Sequence, residues 1–300
     1  MKPLSLSQRF PHLTAVLQAL FVTFLWSTSW VLIKIGLADI PALTFAGLRY
    51  ILAFCCLLPF AWQQRPLLSG LSRADWLRLI GLGILLYTVT QGAQFVGLAY
   101  LPSVTVSLLL NFTTVVVALL GILFLAERPS WPQWAGIGLF LAGVLLYFYP
   151  IFIPAAQIIG FVVVLIGVFG NALSGIIGRH VNRGGRLPPL LITAVSMGIG
   201  AVLLLLAGIT LQGLPPLTWG NWLIIIWLAV VNTAFAFTLW NHTMRRLTAV
   251  ESSLINNTML IQIAILAWVF LDEPLTAQEI VGMGLAAVGI LVVQLRRRSQ

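Results

Sequence analysis

Amide, hydroxyl and indole side chains recur at helical spacing inside stretches that are otherwise almost wholly apolar, and they are the groups best placed to do chemistry. Tyr87, Gln91 and Gln94 stand at i, i+4 and i+7, with Thr90 beside them. Ser103, Ser107, Asn111 and Thr114 form one stripe, and Ser253 and Asn257, with Asn256 close by, form a matching one. Trp26 and Trp30 share a face with Ser29 at its edge, and Asn171, Ser174 and Asn232 complete the set. Such groups exchange hydrogen bonds with a neutral or zwitterionic solute that has left water, and they are costly to bury without a partner. The candidates for a substrate cavity are therefore Trp26, Ser29, Trp30, Tyr87, Gln91, Gln94, Ser107, Asn111, Asn171, Asn232, Ser253, Asn256 and Asn257. Hydrogen bonding between helices in lipid is the second reading, and it explains the Ser and Thr positions well.

Titratable groups are scarce and scattered. Arg49 is the one formal charge well inside an apolar run, where even a lenient insertion scale charges about 2.5–3.5 kcal/mol. It reads as a structural or gating charge that bridges backbone carbonyls, with contact to an anionic or zwitterionic solute as the alternative. Asp39, Asp75, Glu127, Asp272, Glu273 and Glu279 lie near loops, and Glu251 is on the face opposite Ser253 and Asn257. Exchange of a proton for a lipophilic cation needs a membrane-embedded acid, so a cation/proton multidrug exporter is the disfavoured alternative. His12, His180 and His242 are far apart, and Cys55 and Cys56 sit side by side in an apolar run. No catalytic constellation, metal site, cofactor motif or nucleotide-binding motif follows from these positions, and an enzyme is not expected.

The elements that must position these residues are read from composition. Hydrophobic residues make up 60% and charged residues only 8% of the 300, with a mean hydropathy of +1.04; soluble domains carry about 25% charge. The expected fold is an all-α polytopic membrane protein, with apolar runs at roughly 13–36, 42–62, 76–98, 103–126, 131–149, 155–178, 187–211, 219–241, 249–271 and 276–295. With these ten runs taken as transmembrane helices, fourteen of the sixteen Lys and Arg fall on one side, leaving Lys34 opposite and Arg49 within a run. Positive charge collects on the cytoplasmic side, so both termini are predicted to be cytoplasmic, with tails at 1–12 and 296–300. The net charge of +9 is dispersed and forms no basic stripe, so nucleic acid is excluded as a partner. The lipid bilayer of the cytoplasmic membrane and a small-molecule substrate are the partners expected.

Shifting the chain by 146 residues superposes it on itself without gaps. Phe124-Leu125-Ala126-Glu127 meets Phe270-Leu271-Asp272-Glu273, and Gly136, Gly138 and Gly143 meet Gly282, Gly284 and Gly289. Trp76-Leu77 meets Trp222-Leu223, and Ser107-Leu108 with Asn111 meets Ser253-Leu254 with Asn257. Each copy, 13–150 and 155–295, holds five runs, an odd number, so the second must enter the membrane with the opposite sense. Inverted repeats are the symmetry of many secondary transporters, whose site lies near the midplane. A scaffold or assembly protein is the rival reading, although it has no need of aligned amides on several helices. Glu127 and Glu273 read as caps for the helix that follows each.

Leu25-Trp26-Ser27-Thr28-Ser29-Trp30, Pro41, Arg49, Glu127 with Gly136 and Gly143, and Arg245-Arg246-Leu247-Thr248-Ala249 leading to Asp272-Glu273 and Gly282 together resemble EamA-type proteins of the drug/metabolite transporter superfamily. The resemblance spans about 13–295. It implies a ten-helix inverted-repeat carrier that moves small organic solutes, often outward, through a central cavity. One departure is that Thr114 and Leu260 stand where the family often has Pro, which removes the helix kink expected at those points.

Overall fold

The computed structural model describes residues 11–125, 130–150, 153–183, 187–244, 246–247 and 249–295. Most of both predicted tails, Glu127 and Arg245 lie outside the described residues. Among those described, the regular structure is helical throughout. We label the helices α1 (Pro11–Gly36), α2 (Ala42–Trp62), α3 (Arg73–Tyr100), α4 (Ser103–Leu110 continuing as Phe112–Leu125), α5 (Trp131–Tyr147), α6 (Ala155–Arg183), α7 (Pro189–Gln212), α8 (from Trp219 to Thr243), α9 (Ala249–Leu271) and α10 (Ala277–Leu295). Eight of them, all except α5 and α10, are long and apolar enough to cross a membrane. Their outer surfaces carry Phe169, Leu206 and Trp268 at 55%, 56% and 62% exposure. Apolar exposure on that scale suits lipid and not water, so the chain is a multi-pass membrane protein.

The repeat is written into how the helices begin. Ser72 and Asp75 form a capping box at the start of α3, and Thr218 accepts from the Asn221 amide at the start of α8, the positions 146 residues on. Likewise Gln133 accepts from the Ser130 amide before α5, and Glu279 accepts from the Thr276 amide before α10. Each box satisfies donors that the first helical turn would otherwise leave orphaned. The box that starts α10 is thus built from Thr276 and Glu279.

The described residues fall into two compact units that do not follow the two copies in sequence. One unit lies within Met1–Val31, Pro129–Phe152 and Val231–Gln300, the other within Leu32–Arg128 and Ile153–Val230. Each draws helices from both copies.

In the first unit, α5 and α10 are held backbone to backbone by glycines. A Cβ on Gly136 would meet Gly289 O at 2.8 Å, and one on Gly143 would meet Gly282 O at 2.6 Å. Seven residues forward on one helix is seven back on the other, so these repeat-related helices run antiparallel. Small residues permit this approach where lipid supplies no hydrophobic drive to association. The N-terminal part of α1 packs on α9 and the end of α8 through Ala15, Ala19, Leu25, Ala236 and Ile255.

In the second unit, α2 and α7 pair in the same antiparallel sense: Gly47 closes on Leu205 and Gly208 on Thr44. Lys34, at the end of α1, donates to Leu98 O at 2.8 Å and Leu101 O at 2.6 Å, placing its charge on the open carbonyls at the end of α3. Lys34→Met keeps the stem and removes the charge. It should cost about 2 kcal/mol, read as a lowered unfolding midpoint in detergent; an unchanged midpoint would show that the cap contributes nothing.

Candidate functional site

Two helices that carry predicted site residues depart from α geometry. Residues Gly83–Gln91 of α3 and Val230–Phe235 of α8 are π-helical, and these segments overlap when the chain is shifted by 146. The expected continuous α-helical face through Tyr87, Gln91 and Gln94 is therefore interrupted by wider turns. The surroundings favour this ladder: Gly200 lies against Gly83 and the Tyr87 Cβ position, and Thr88 Oγ1 donates to Gly200 O at 3.0 Å. Thr90 Oγ1 donates to Leu85 O at 2.7 Å, five residues back. Segments of this kind are frequent at functional positions.

In the first unit, Asn232 lies on the α8 π segment and is wholly buried. Its Nδ2 donates to Leu25 O and, at 3.3 Å, to Thr28 Oγ1. Thr28 Oγ1 itself donates to Leu25 O at 2.7 Å, so a reversed amide would set oxygen against oxygen. The amide is thereby oriented, and its Oδ1 is buried without a hydrogen-bond partner among the described residues. Trp26 packs against Phe237 and Trp240, with ring centroids 5.3 and 5.2 Å away, and its Nε1 is likewise buried and unpaired among the described residues. An unpaired acceptor and an unpaired donor thus belong to one unit among the described residues.

The other candidates there are less committed to a ligand. Ser29 Oγ donates to Trp26 O in its own helix at 2.5 Å, Trp30 is buried, Asn256 is exposed and Asn257 is half-buried. The Ser253 side chain lies outside the described residues. Glu251 accepts from His12 at 2.8 Å.

A neighbouring network escaped the sequence reading. Gln262 Oε1 accepts from Ser27 Oγ at 3.0 Å, and its Nε2 donates to Thr23 Oγ1 at 3.2 Å and Thr258 Oγ1 at 2.9 Å. The signal was available as two i, i+4 pairs, Thr23 with Ser27 and Thr258 with Gln262. These pairs bind α1 to α9 through a polar seam in an apolar setting.

In the second unit, Arg49 is 5% exposed, and its guanidinium lies 5.2 Å from the Tyr50 ring centre and 5.9 Å from that of Phe95. Tyr50 meets Tyr87 edge to face at 5.6 Å, so Tyr87 belongs to the aromatic surround of the buried cation. Asn171 Nδ2 donates to Thr113 Oγ1 at 3.3 Å, tying α6 to α4. Asn111 marks the break in α4 and donates to Ser107 O at 3.0 Å. Gln91 and Gln94 are half-buried, and their amides make no hydrogen bond among the described residues. Nor do three of His, Cys, Asp and Glu converge there.

The arrangement suits reversible hydrogen bonding to a solute. The chain is 26% identical to an uncharacterized transporter, YvbV, of Bacillus subtilis, over 98% of this chain and 95% of that protein. It is 25% identical to a probable amino-acid metabolite efflux pump of Salmonella typhimurium, over 91% and 92% of the two chains. A solved crystal structure shares its fold, with a TM-score of 0.65 and 18% identity across 94% of this chain and 98% of the other. A sequence model of the EamA-like transporter family matches residues 13–149 and again 158–295, one match for each copy of the repeat. These names are of transporters and not enzymes, and the two matches span nearly the whole chain, which belongs to the EamA-like transporter family.

Proposed function

We propose that this membrane transporter is a secondary carrier that exports small polar metabolites, amino acids or similar neutral and zwitterionic solutes, across the cytoplasmic membrane by alternating access. In this reading all ten helices cross the bilayer as two inverted five-helix repeats, with both termini in the cytoplasm. The antiparallel pairing of α5 with α10 and of α2 with α7 supports the inversion. The observation that carries the solute class is the buried, unpaired Asn232 Oδ1 with the unpaired Trp26 Nε1. Each such group costs about 1–3 kcal/mol if nothing ever satisfies it, and a zwitterion supplies what both lack, an ammonium donor and a carboxylate acceptor. The half-buried amides of Gln91 and Gln94, which make no hydrogen bond among the described residues, offer further donors and acceptors in the second unit. Arg49 has a structural role in this reading, enclosed by aromatic rings. The efflux-pump name of the Salmonella relative points the same way for substrate and direction.

Counterflow in proteoliposomes tests this, using a panel of labelled neutral amino acids with and without an imposed pH gradient. Saturable exchange is expected, reduced about tenfold or more in Gln91→Ala, the loss of one hydrogen bond to a charged group. Folded protein that moves no member of the panel would overturn the reading in favour of a scaffold.

A further inference from the structure

The second unit contains a cavity of about 410 Å³ where α3 begins and α6 ends. Its rim is polar, with Ser72, Asp75, Arg78 and His180, and its floor is apolar, with Leu79 and Leu187, which are 0% and 8% exposed. The one carboxylate is already committed: Asp75 Oδ2 accepts from the Ser72 amide and hydroxyl, and Oδ1 accepts from Arg78 at 3.2 Å. Arg78 retains further N–H donors and is 43% exposed, while His180 is exposed and makes no hydrogen bond among the described residues. The segments that flank the cavity in sequence, 65–78 and 179–186, hold six of the sixteen Lys and Arg against one acid. On the opposite face of the same helix Leu77, Ile80 and Ile84 are 60%, 36% and 37% exposed, an apolar surface suited to lipid.

We propose that this cavity binds the headgroup of an anionic phospholipid. A donor-rich rim that carries one guanidinium, set between arginine-rich segments and over an apolar floor, matches an amphiphile whose phosphodiester must be neutralised while its glycerol and first methylenes leave water. Arg78 supplies the planar fork that suits a phosphate, His180 a second donor, and Leu79 with Leu187 the apolar contact. A neutral polar metabolite has no use for the N–H donors that Arg78 keeps beyond its bond to Asp75. The site is independent of the proposed solute site and rests on none of its residues.

The test uses full-length protein purified in a non-ionic detergent. Phosphatidylglycerol, phosphatidylcholine or inorganic phosphate is titrated while bound lipid is counted by native mass spectrometry and the unfolding midpoint is followed. Phosphatidylglycerol should bind in preference to phosphatidylcholine and raise the midpoint, with the preference weakened about fivefold in Arg78→Gln, the share of one basic residue near an anionic surface. His180→Gln, which leaves the α3 cap untouched, should weaken it in the same direction and guards against a folding defect in the first variant. Equal binding of the two lipids, or a preference unchanged in both variants, would overturn the proposal. So would inorganic phosphate that displaces phosphatidylglycerol at millimolar concentration, since it would mark a site for a free anion.

Discussion

Gly282→Ala should lower the stability of the protein by about 3 kcal/mol, although alanine is the better helix former by about 1 kcal/mol. The added Cβ would stand 2.6 Å from Tyr147 N, 2.7 Å from Gly143 O and 2.9 Å from Tyr147 Cα, all backbone atoms of α5. Backbone cannot rotate aside as a side-chain tip can, so α5 and α10 must part. Parting them also loosens the repeat-related contact of Gly136 with Gly289, which lies two turns away on the same pair. The control is Gly284→Ala, two residues on, where a Cβ meets nothing within 4 Å; there propensity acts alone and stability should hold or rise. The two variants are compared by thermal unfolding and by the monodisperse fraction after extraction. Equal midpoints would mean that the close approach of α5 and α10 is not a source of stability.

Asn232→Leu should reduce counterflow of the transported amino acids by roughly 10- to 100-fold while leaving the folded protein intact. The lost rate corresponds to one hydrogen bond with a charged group, about 1.5–3 kcal/mol. Structure is spared because Leu25 O keeps the hydroxyl of Thr28 as a donor and because the substitution removes an unpaired buried oxygen together with the two bonds donated by Nδ2. The net effect on stability should be within about 1 kcal/mol. A purely structural asparagine predicts the reverse pattern, a depressed midpoint with transport per folded molecule preserved. Trp26→Phe keeps an aromatic ring against Phe237 and Trp240 and removes the N–H, so it should show the same split with a smaller loss.

The sequence by itself determined the class of molecule, because 60% hydrophobic and 8% charged residues leave a chain of this length no way to fold in water. It also determined the repeat. The shift of 146 that aligns Glu127 with Glu273 and Gly136 with Gly282 reappears in the caps, where Ser72 with Asp75 matches Thr218 with Asn221. Those caps differ in residue type, so identity hides the match that capping chemistry makes plain. Aligned glycines were legible as small residues for close packing, since helix propensity alone disfavours them.

Tertiary structure alone decided the rest. Which glycine faces which, Gly136 with Gly289 rather than with its own repeat image Gly282, depends on antiparallel pairing of one copy with the other. The same interleaving places each compact unit across both copies, and no local preference encodes a partner so distant in sequence. The π segments at Gly83–Gln91 and Val230–Phe235 are also invisible in the pattern of residues. An α and a π ladder use the same backbone groups, and near Gly83 it is Gly200, pressed against that turn, together with hydroxyls on nearby carbonyls, that favours the wider one. Most consequentially, spacing put thirteen polar residues on helix faces but did not say which atoms would find partners. Ser29 and Asn111 close onto their own helices, whereas Asn232 and Trp26 keep an acceptor and a donor unpaired. That difference is set by distances of a few ångströms between helices, and hydrogen bonding is too short-ranged to be read from anything coarser.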